Sequence, residues 1–259
     1  MAIAAMEHGS VQYLDVTGSA LRLVHRDRLE YNADPEFVPV PVEDVVLSDA
    51  RLAAQVEEIR SGPSGVSEKK PQDQGHTTTV SIADEQGSMV SLTHTLGWAS
   101  GAVTKGLGFI YNNGMNLADP RPGYPNSIAP GKARMSNMVP TLIWEGDRPY
   151  MAVGALGGAV IVSAVFQAVV HMIDLGMSPA EAVLAARAHS EGGPLFLEAR
   201  FRGDVAAELE RMGHRVRRDP FPLSPIMARA QVALRRPDGS FEGGSDPRAG
   251  AGGVAYSRS

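Results

Sequence analysis

The chain has no cysteine, which excludes disulfides, thiolate metal ligands and a cysteine nucleophile but leaves the compartment undecided. An excess of one charge is also missing. Twenty-four basic against 29 acidic residues leave a net charge of -5, and the arginines and lysines are scattered, so there is no electrostatic footprint for nucleic acid. Long apolar runs are absent: the longest, residues 159–173, contains Ser163, Gln167 and His171 and falls short of the ~18 residues that a membrane span needs. It reads as a buried helix, and no membrane is expected as a partner. Residues 1–8 lack a basic stretch and have too short an apolar run for a signal peptide, so no targeting signal is visible. His76, His94 and His189 lack metal-ligand spacing, and no Gly-x-Gly-x-x-Gly follows a strand, so no cofactor is expected. What is present, 43% hydrophobic and 20% charged residues over 259 positions, fits a globular protein with one large core or two small ones.

Along the chain, apolar positions near helical spacing over residues 11–31 predict one amphipathic helix. Pro35, Pro39 and Pro41 prevent its continuation and predict an extended segment on the surface. A second helix follows over 48–59, with Ser48 as cap and Leu52, Val56 and Ile59 on one face. Residues 61–75 are polar, with Gly, Ser, Pro and Lys, and read as an exposed linker that tolerates a chain break. The pattern then changes abruptly. Residues 77–83 and 89–95 are β-branched, alternating runs joined by Asp84-Glu85-Gln86-Gly87, a hairpin signal, and both are short enough to be central strands. Residues 120–132 form a long loop. A second hairpin is expected around Glu145–Arg148, then the apolar helix, then a helix from Ser178 to about Ala188 with a capping box. A helix over 205–212 ends at Gly213, and a last hairpin turns at Pro237-Asp238-Gly239. Strands and helices arrive in blocks, which favours a layered α+β arrangement over a doubly wound sheet.

Chemistry concentrates at the linker's end. Three threonines at a strand start are ordinarily a half-exposed strand face, but here a cleavable segment precedes them. A chain cut between His76 and Thr77 would make Thr77 an N-terminus, with a hydroxyl nucleophile and an α-amine to serve as its base. That amine titrates near pH 7.7–8.0 in reference compounds, so it can accept the hydroxyl proton at neutral pH. Gly157-Gly158, between a strand and a helix, can present two backbone N–H groups to an oxyanion, though a lone Gly-Gly is also an ordinary turn. The three histidines read as structural or surface residues.

These residues resemble the γ-glutamyltranspeptidase family of N-terminal nucleophile hydrolases. The resemblance is carried by Asp27-Arg28, Tyr31-x-x-Asp34-Pro35-x-Phe37-Val38-x-Val40-Pro41-Val42, Thr77-Thr78-x-x-Ser81 with Gly87, and Asn112-Asn113-x-Met115. It continues through Ile128-x-Pro130-Gly131-Lys132, Met138-x-Pro140-Thr141, Gly157-Gly158, Ala180-Glu181-Ala182, Arg187-x-His189 and Ser245-Asp246-Pro247-Arg248. It implies an αββα sandwich made as a precursor. Residues 1–60 would match the end of the large subunit, 61–76 the linker ending at the cleavage site, and 77–259 the small, catalytic subunit. It also implies that Thr77 is acylated by a substrate amide, that Gly157 and Gly158 form the oxyanion hole and that Thr95 hydrogen-bonds the nucleophile. Water or an acceptor amine would then release the acyl group.

The sequence departs from the family in two respects. The matching region begins near the end of the family's large subunit, so roughly half of a usual precursor has no counterpart, including an arginine that grips substrate carboxylate; a separate chain could supply it. The positions that hold the glutamyl amino and carboxylate groups read Gly97, Gly114, Leu117 and Ser136-Asn137, with one of five family residues kept. A buried ammonium without its acidic partner is costly, so Leu117 disfavours a free α-amino group. The leading expectation is a self-processing amidohydrolase or acyltransferase moved off glutamyl, toward a dicarboxylic or apolar acyl amide. A true γ-glutamyl hydrolase or transferase acting on glutathione-type substrates is the alternative. A third is a non-catalytic fragment or scaffold subunit needing another chain.

Overall fold

A computed structural model describes residues 3–63 and 76–249. The first helix, α1 (Val11–Tyr31), begins where the Ser10 hydroxyl accepts the Tyr13 N–H, and it buries Tyr13, Leu14, Leu21 and Leu23. A π-helical turn at Val42–Val46 occupies the end of the proline-rich stretch, a feature the three prolines gave no sign of. Helix α2 (Asp49–Arg60) starts at the Ser48 cap as expected, but its apolar face is uncovered, with no residue of the helix buried. Charge pairs tie it to α1 instead: Arg51 to Asp27, and Arg26 to Glu58 at 2.9 Å. The expected linker lies, from residue 64 to 75, outside the described residues.

Strands β1 (Thr77–Ala83) and β2 (Met89–Thr95) pair in antiparallel register from Thr77 opposite Thr95 to Ala83 opposite Met89. Gly87, at φ +91°, closes the turn, and the Asp84 carboxylate accepts the Ser88 N–H at 2.8 Å. β3 (Ala99–Val103) and β4 (Ile110–Asn112) form a short irregular pair. β5 (Thr141–Glu145) and β6 (Arg148–Leu156) make the second hairpin, which leads into α3 (Ile161–Ile173) and α4 (Pro179–Leu184). The capping box at Ser178 and Glu181 is present, but α4 stops four residues short of expectation. The reason is competition for backbone amides: Glu198 takes the Arg187 N–H and Gln167 takes the Ala188 N–H, both at 3.0 Å, drawing the chain into β7 (Ala188–His189). After β8 (Leu195–Leu197), α5 (Gly203–Arg211) and β9 (Val216–Arg218) comes the hairpin β10 (Arg229–Arg235) and β11 (Phe241–Ser245). The three-stranded sheet of β7, β8 and β9, with β8 parallel to β9, was not foreseen.

The central sheet has the order β11-β10-β6-β5. One face packs on α3, burying Met151, Val153, Ile161, Ala164 and Val232. The other face carries the β1–β2 pair. Rather than being central strands of one sheet, β1 and β2 stack as a separate two-stranded sheet, and the contact between the sheets is made of hydroxyls. The Ser81 hydroxyl donates to the Gln231 carbonyl at 3.0 Å and the Ser91 hydroxyl to the Val153 carbonyl at 2.9 Å. Gly154 permits the close approach, since a Cβ there would lie 2.4 Å from Thr79 Oγ1. The alternation of β1 and β2 therefore points their apolar residues outward: Val80, Ile82, Val90 and Leu92 are 40%, 51%, 48% and 58% exposed. Helix, sheet and sheet are stacked here, and the outer face of the second sheet has no helical cover among the described residues.

Candidate active site

The hairpin register brings Thr77 and Thr95 together. They face each other at the open end of β1–β2, with their hydroxyl oxygens 2.8 Å apart. Thr95 Oγ1 also accepts the Gly97 N–H at 2.9 Å and lies 3.3 Å from the His76 carbonyl oxygen, to which it donates. One hydroxyl has one proton to give, so this arrangement has the Thr77 hydroxyl donating to Thr95 and the Thr95 hydroxyl donating to His76. The Leu96 N–H reaches the same His76 carbonyl at 3.1 Å. The carbonyl on the N-terminal side of Thr77 is thus held by two donors. Leu96 contributes only a backbone group, which residue types could not announce.

Gly97, at φ +67°, sits against the Asn113–Gly114 backbone: a Cβ on it would be 3.4 Å from the Asn113 carbonyl oxygen. The Asn113 N–H donates to the Leu96 and Trp98 carbonyls, both at 2.9 Å, joining the two segments. Gly114 in turn is covered by Arg134, whose Nε would be 2.5 Å from an added Cβ. Leu117 ends the 3₁₀ turn that starts at Gly114, and its carbonyl accepts the Asn126 side-chain N–H at 2.7 Å. Ser136 accepts the Met138 N–H on its hydroxyl, and Asn137 is buried with its side-chain oxygen accepting from Arg28 of α1. Burial pushes the Arg28 guanidinium down from its ordinary value, with Glu191 pulling the other way. Gly97, Gly114, Leu117 and Ser136-Asn137 therefore lie on three successive segments linked by contacts, beginning beside Thr95. That α1 reaches Asn137 through Arg28 follows from packing and had no signal in the sequence beyond the Asp27-Arg28 pair.

Gly157 and Gly158 follow β6 and open the 3₁₀ turn Gly158–Val160 before α3. Their φ angles are +135° and +68°, and a Cβ on Gly157 would be 2.6 Å from Ala228 Cα. The amide of Gly158, at the start of this turn, has no intrahelical partner. Gly154, three residues earlier on the same strand, lies directly beneath Thr79, so the end of β6 runs under the β1 hairpin. Among the described residues no hydrogen bond joins Thr77 to Gly157 or Gly158, the Thr77 hydroxyl being engaged by Thr95. His76 meets the Trp98 ring edge-on and His94 is exposed on the outer face. His189 is buried, bonded to Ser163 at 2.7 Å and to Glu191 at 3.1 Å, an acidic neighbour that spacing alone did not supply. Among the described residues no group of three His, Asp or Glu is placed to hold a metal, and no helix is long and apolar enough to cross a membrane.

Residues 1–256 match the family model described as Gamma-glutamyltranspeptidase. The chain belongs to the γ-glutamyltranspeptidase family. Similar relatives include the Acylase ACY 1 proenzyme of Pseudomonas sp. (strain V22), 38% identical over 98% of this chain and 46% of that protein. Another is the Glutathione hydrolase proenzyme of Escherichia coli (strain K12), 31% identical over 93% of this chain and 44% of that protein. Among solved structures, cephalosporin acylase from Bacillus halodurans superposes with a TM-score of 0.83 at 26% identity, over 95% of this chain and 46% of that one. The family and these neighbours establish an α+β fold of the N-terminal nucleophile hydrolase type and an enzyme family of hydrolases and acylases. The chain spans about half the length of the curated relatives it matches.

Proposed function

We propose that this chain carries the self-cleaving threonine centre of a γ-glutamyltranspeptidase-family amidohydrolase or acyltransferase whose acyl specificity has moved off γ-glutamyl. The observation that carries the reading is the Thr77–Thr95 hydroxyl pair, 2.8 Å apart, beside a His76 carbonyl held by Thr95 and Leu96. Thr77 Oγ would attack the His76 carbonyl carbon, its proton passing to the departing Thr77 nitrogen as the peptide bond breaks and an ester forms. Thr95 and Leu96 would steady the negative charge that builds on the carbonyl oxygen. Water would then hydrolyse the ester, leaving a His76 carboxylate and a Thr77 with free amine and hydroxyl. In turnover the amine takes the hydroxyl proton, the oxygen attacks a substrate amide, the leaving amine is protonated, and water or an acceptor amine releases the acyl group. Gly157 and Gly158 would serve the oxyanion of these later steps.

The altered acyl preference is supported by the recognition positions. Gly97 and Gly114 face each other through backbone and offer no side-chain donor or carboxylate, and Leu117 has no charge for an ammonium. An acylase among the similar relatives and a cephalosporin acylase among the solved structures support an amide-cleaving enzyme whose substrate differs from glutathione. The retained Ser136 and the glutathione hydrolase relative favour the second reading, a γ-glutamyl hydrolase or transferase. In either case the partner we infer is a polypeptide equivalent to the half of the relatives that this chain does not span, laid on the outward apolar face of β1–β2. That face has a core-like composition but no cover among the described residues.

The test is intact mass after incubation at neutral pH, for wild type and Thr77→Ala, each alone and with that complementing half. A product beginning at Thr77 in wild type and absent in the mutant is expected, and cutting before residue 77 in Thr77→Ala overturns the nucleophile assignment. The processed protein is then offered glutaryl, aliphatic acyl and γ-glutamyl anilides. Preferential turnover of γ-glutamyl would replace the first reading by the second.

A further inference from the structure

Behind the Gly157 turn lies a strained residue. Ala228 is the one non-glycine among the described residues with a positive φ, +54°, and it is fully buried against Gly157. An alanine does not hold a left-handed conformation unless its surroundings impose it. The group that does so is Arg187, whose Nη1 donates to both the Met227 and the Ala228 carbonyls at 3.1 Å. Its Nη2 donates to the Val183 carbonyl at 2.9 Å and pairs with Asp246 at 2.5 Å. Asp246 accepts the Ala230 N–H at 3.1 Å and meets Arg248 at 3.1 Å, and Arg248 meets Glu198 at 2.6 Å. A buried guanidinium, kept charged by its carboxylate, thus clamps the carbonyls of the two peptides that flank the Ala228 Cα, and the bent chain it holds is the surface against which Gly157 turns.

We propose that Arg187 is a positioning residue for the oxyanion site: by holding Ala228 left-handed it fixes the turn that presents the Gly157 and Gly158 amides. This rests on the reading of those amides as the oxyanion donors. A lysine at 187 keeps the charge toward Asp246 but lacks the planar fork that reaches two carbonyls and a carboxylate together. A glycine at 228 adopts the left-handed conformation without penalty and so makes the clamp dispensable.

The experiment compares wild type, Arg187→Lys and Arg187→Lys/Ala228→Gly in chain labelled with ¹⁵N-glycine, together with the complementing half where cleavage requires it. In Arg187→Lys the Gly157 and Gly158 amide signals should shift or broaden, and acyl-anilide turnover by the processed protein should slow about tenfold, below the full loss of an oxyanion donor. The double variant should restore the signals and bring the rate back to within about threefold of wild type, a rescue that a purely structural arginine would not allow. Where Arg187→Lys does not fold, Asp246→Asn, which keeps the volume, replaces it in both backgrounds. Unmoved amide signals in the single variant, or a double variant no better than the single, overturn the inference. If wild type is never cut, the proposed function fails, while the amide signals still judge the clamp.

Discussion

Replacing Gly157 with alanine separates two costs that the structure assigns to this position. At φ +135° and ψ 30° an L-residue is strained, by about 1–3 kcal/mol. The new Cβ would also stand 2.6 Å from Ala228 Cα and 2.8 Å from Ala228 Cβ, and since the Ala228 backbone is clamped, relief must come from a backbone shift costing about 1–3 kcal/mol more. Gly131→Ala is the reference: Gly131 has φ +76° with nothing within 4 Å of its missing Cβ, so it carries strain of about 1–2 kcal/mol and no clash. Urea unfolding followed by the fluorescence of Trp98 and Trp144 reads the difference. With a slope of about 3 kcal/mol per molar urea, the Gly157→Ala midpoint should fall below that of Gly131→Ala by about 0.3–1 M. Equal midpoints would refute the close approach of Gly157 to Ala228, and with it the argument that this turn is built to fit.

Thr95→Ala should slow self-cleavage about 10- to 100-fold, because it removes both the acceptor for Thr77 and one donor to the His76 carbonyl, while Thr95→Ser should stay within about threefold of wild type; intact mass against time separates them. His171 is held near pKa 3 by burial and by the neighbouring His8, and its Nε2 lies 2.8 Å from the Tyr13 hydroxyl. The unfolded chain binds a proton there near pH 6.5 and the folded chain does not, so stability is full above that pH and falls from about 6.5 toward 3, by up to about 1.4 kcal/mol per pH unit. His171→Gln should flatten the dependence of the unfolding midpoint between pH 6.5 and 4; an unchanged slope would show that His171 is not its source.

The parts of the fold that could be read from the sequence are those fixed within a few residues. Ser48 and Ser178 cap helices because a short hydroxyl precedes an apolar period, and Gly87 marks its hairpin because its turn needs a positive φ. Once the turn is set, the pairing of Thr77 with Thr95 follows by counting. What could not be read depends on side chains that meet across long separations. The end of α4 is decided by Glu198 and Gln167 competing for amides at 187 and 188, and alternation in β1 and β2 does not say which face is inside. Ordinary burial logic would place Val80, Ile82, Val90 and Leu92 against the neighbouring sheet, yet hydroxyls occupy that contact. At the site, Thr77 and the glycine pair were visible as residue types and Thr95 through the family resemblance, whereas the Leu96 amide, the reach of Arg28 to Asn137 and the strained Ala228 were not, because none has a local sequence signature.

On the proposed reading, the distribution of these groups between the sheets and their connecting segments accounts for a centre that stays while recognition changes. Thr77 and Thr95 are fixed by the β1–β2 ladder, and Gly157 by a backbone contact in the buried end of the β6–β10 pairing. Loss of either threonine hydroxyl, or a Cβ added at Gly157, disturbs the centre itself and is penalised whatever the substrate. Gly97, Gly114, Leu117 and Ser136-Asn137 lie instead on segments outside the strands, joined to one another through main-chain groups such as the Asn113 N–H bonded to Leu96 and Trp98. Backbone bonds of that kind survive a change of side chain, so the side chains at these positions can change without moving Thr77. Acyl preference should therefore respond to substitutions at 97, 114 and 117 through KM and substrate ranking, with self-cleavage, which depends on the ladder, largely unaffected.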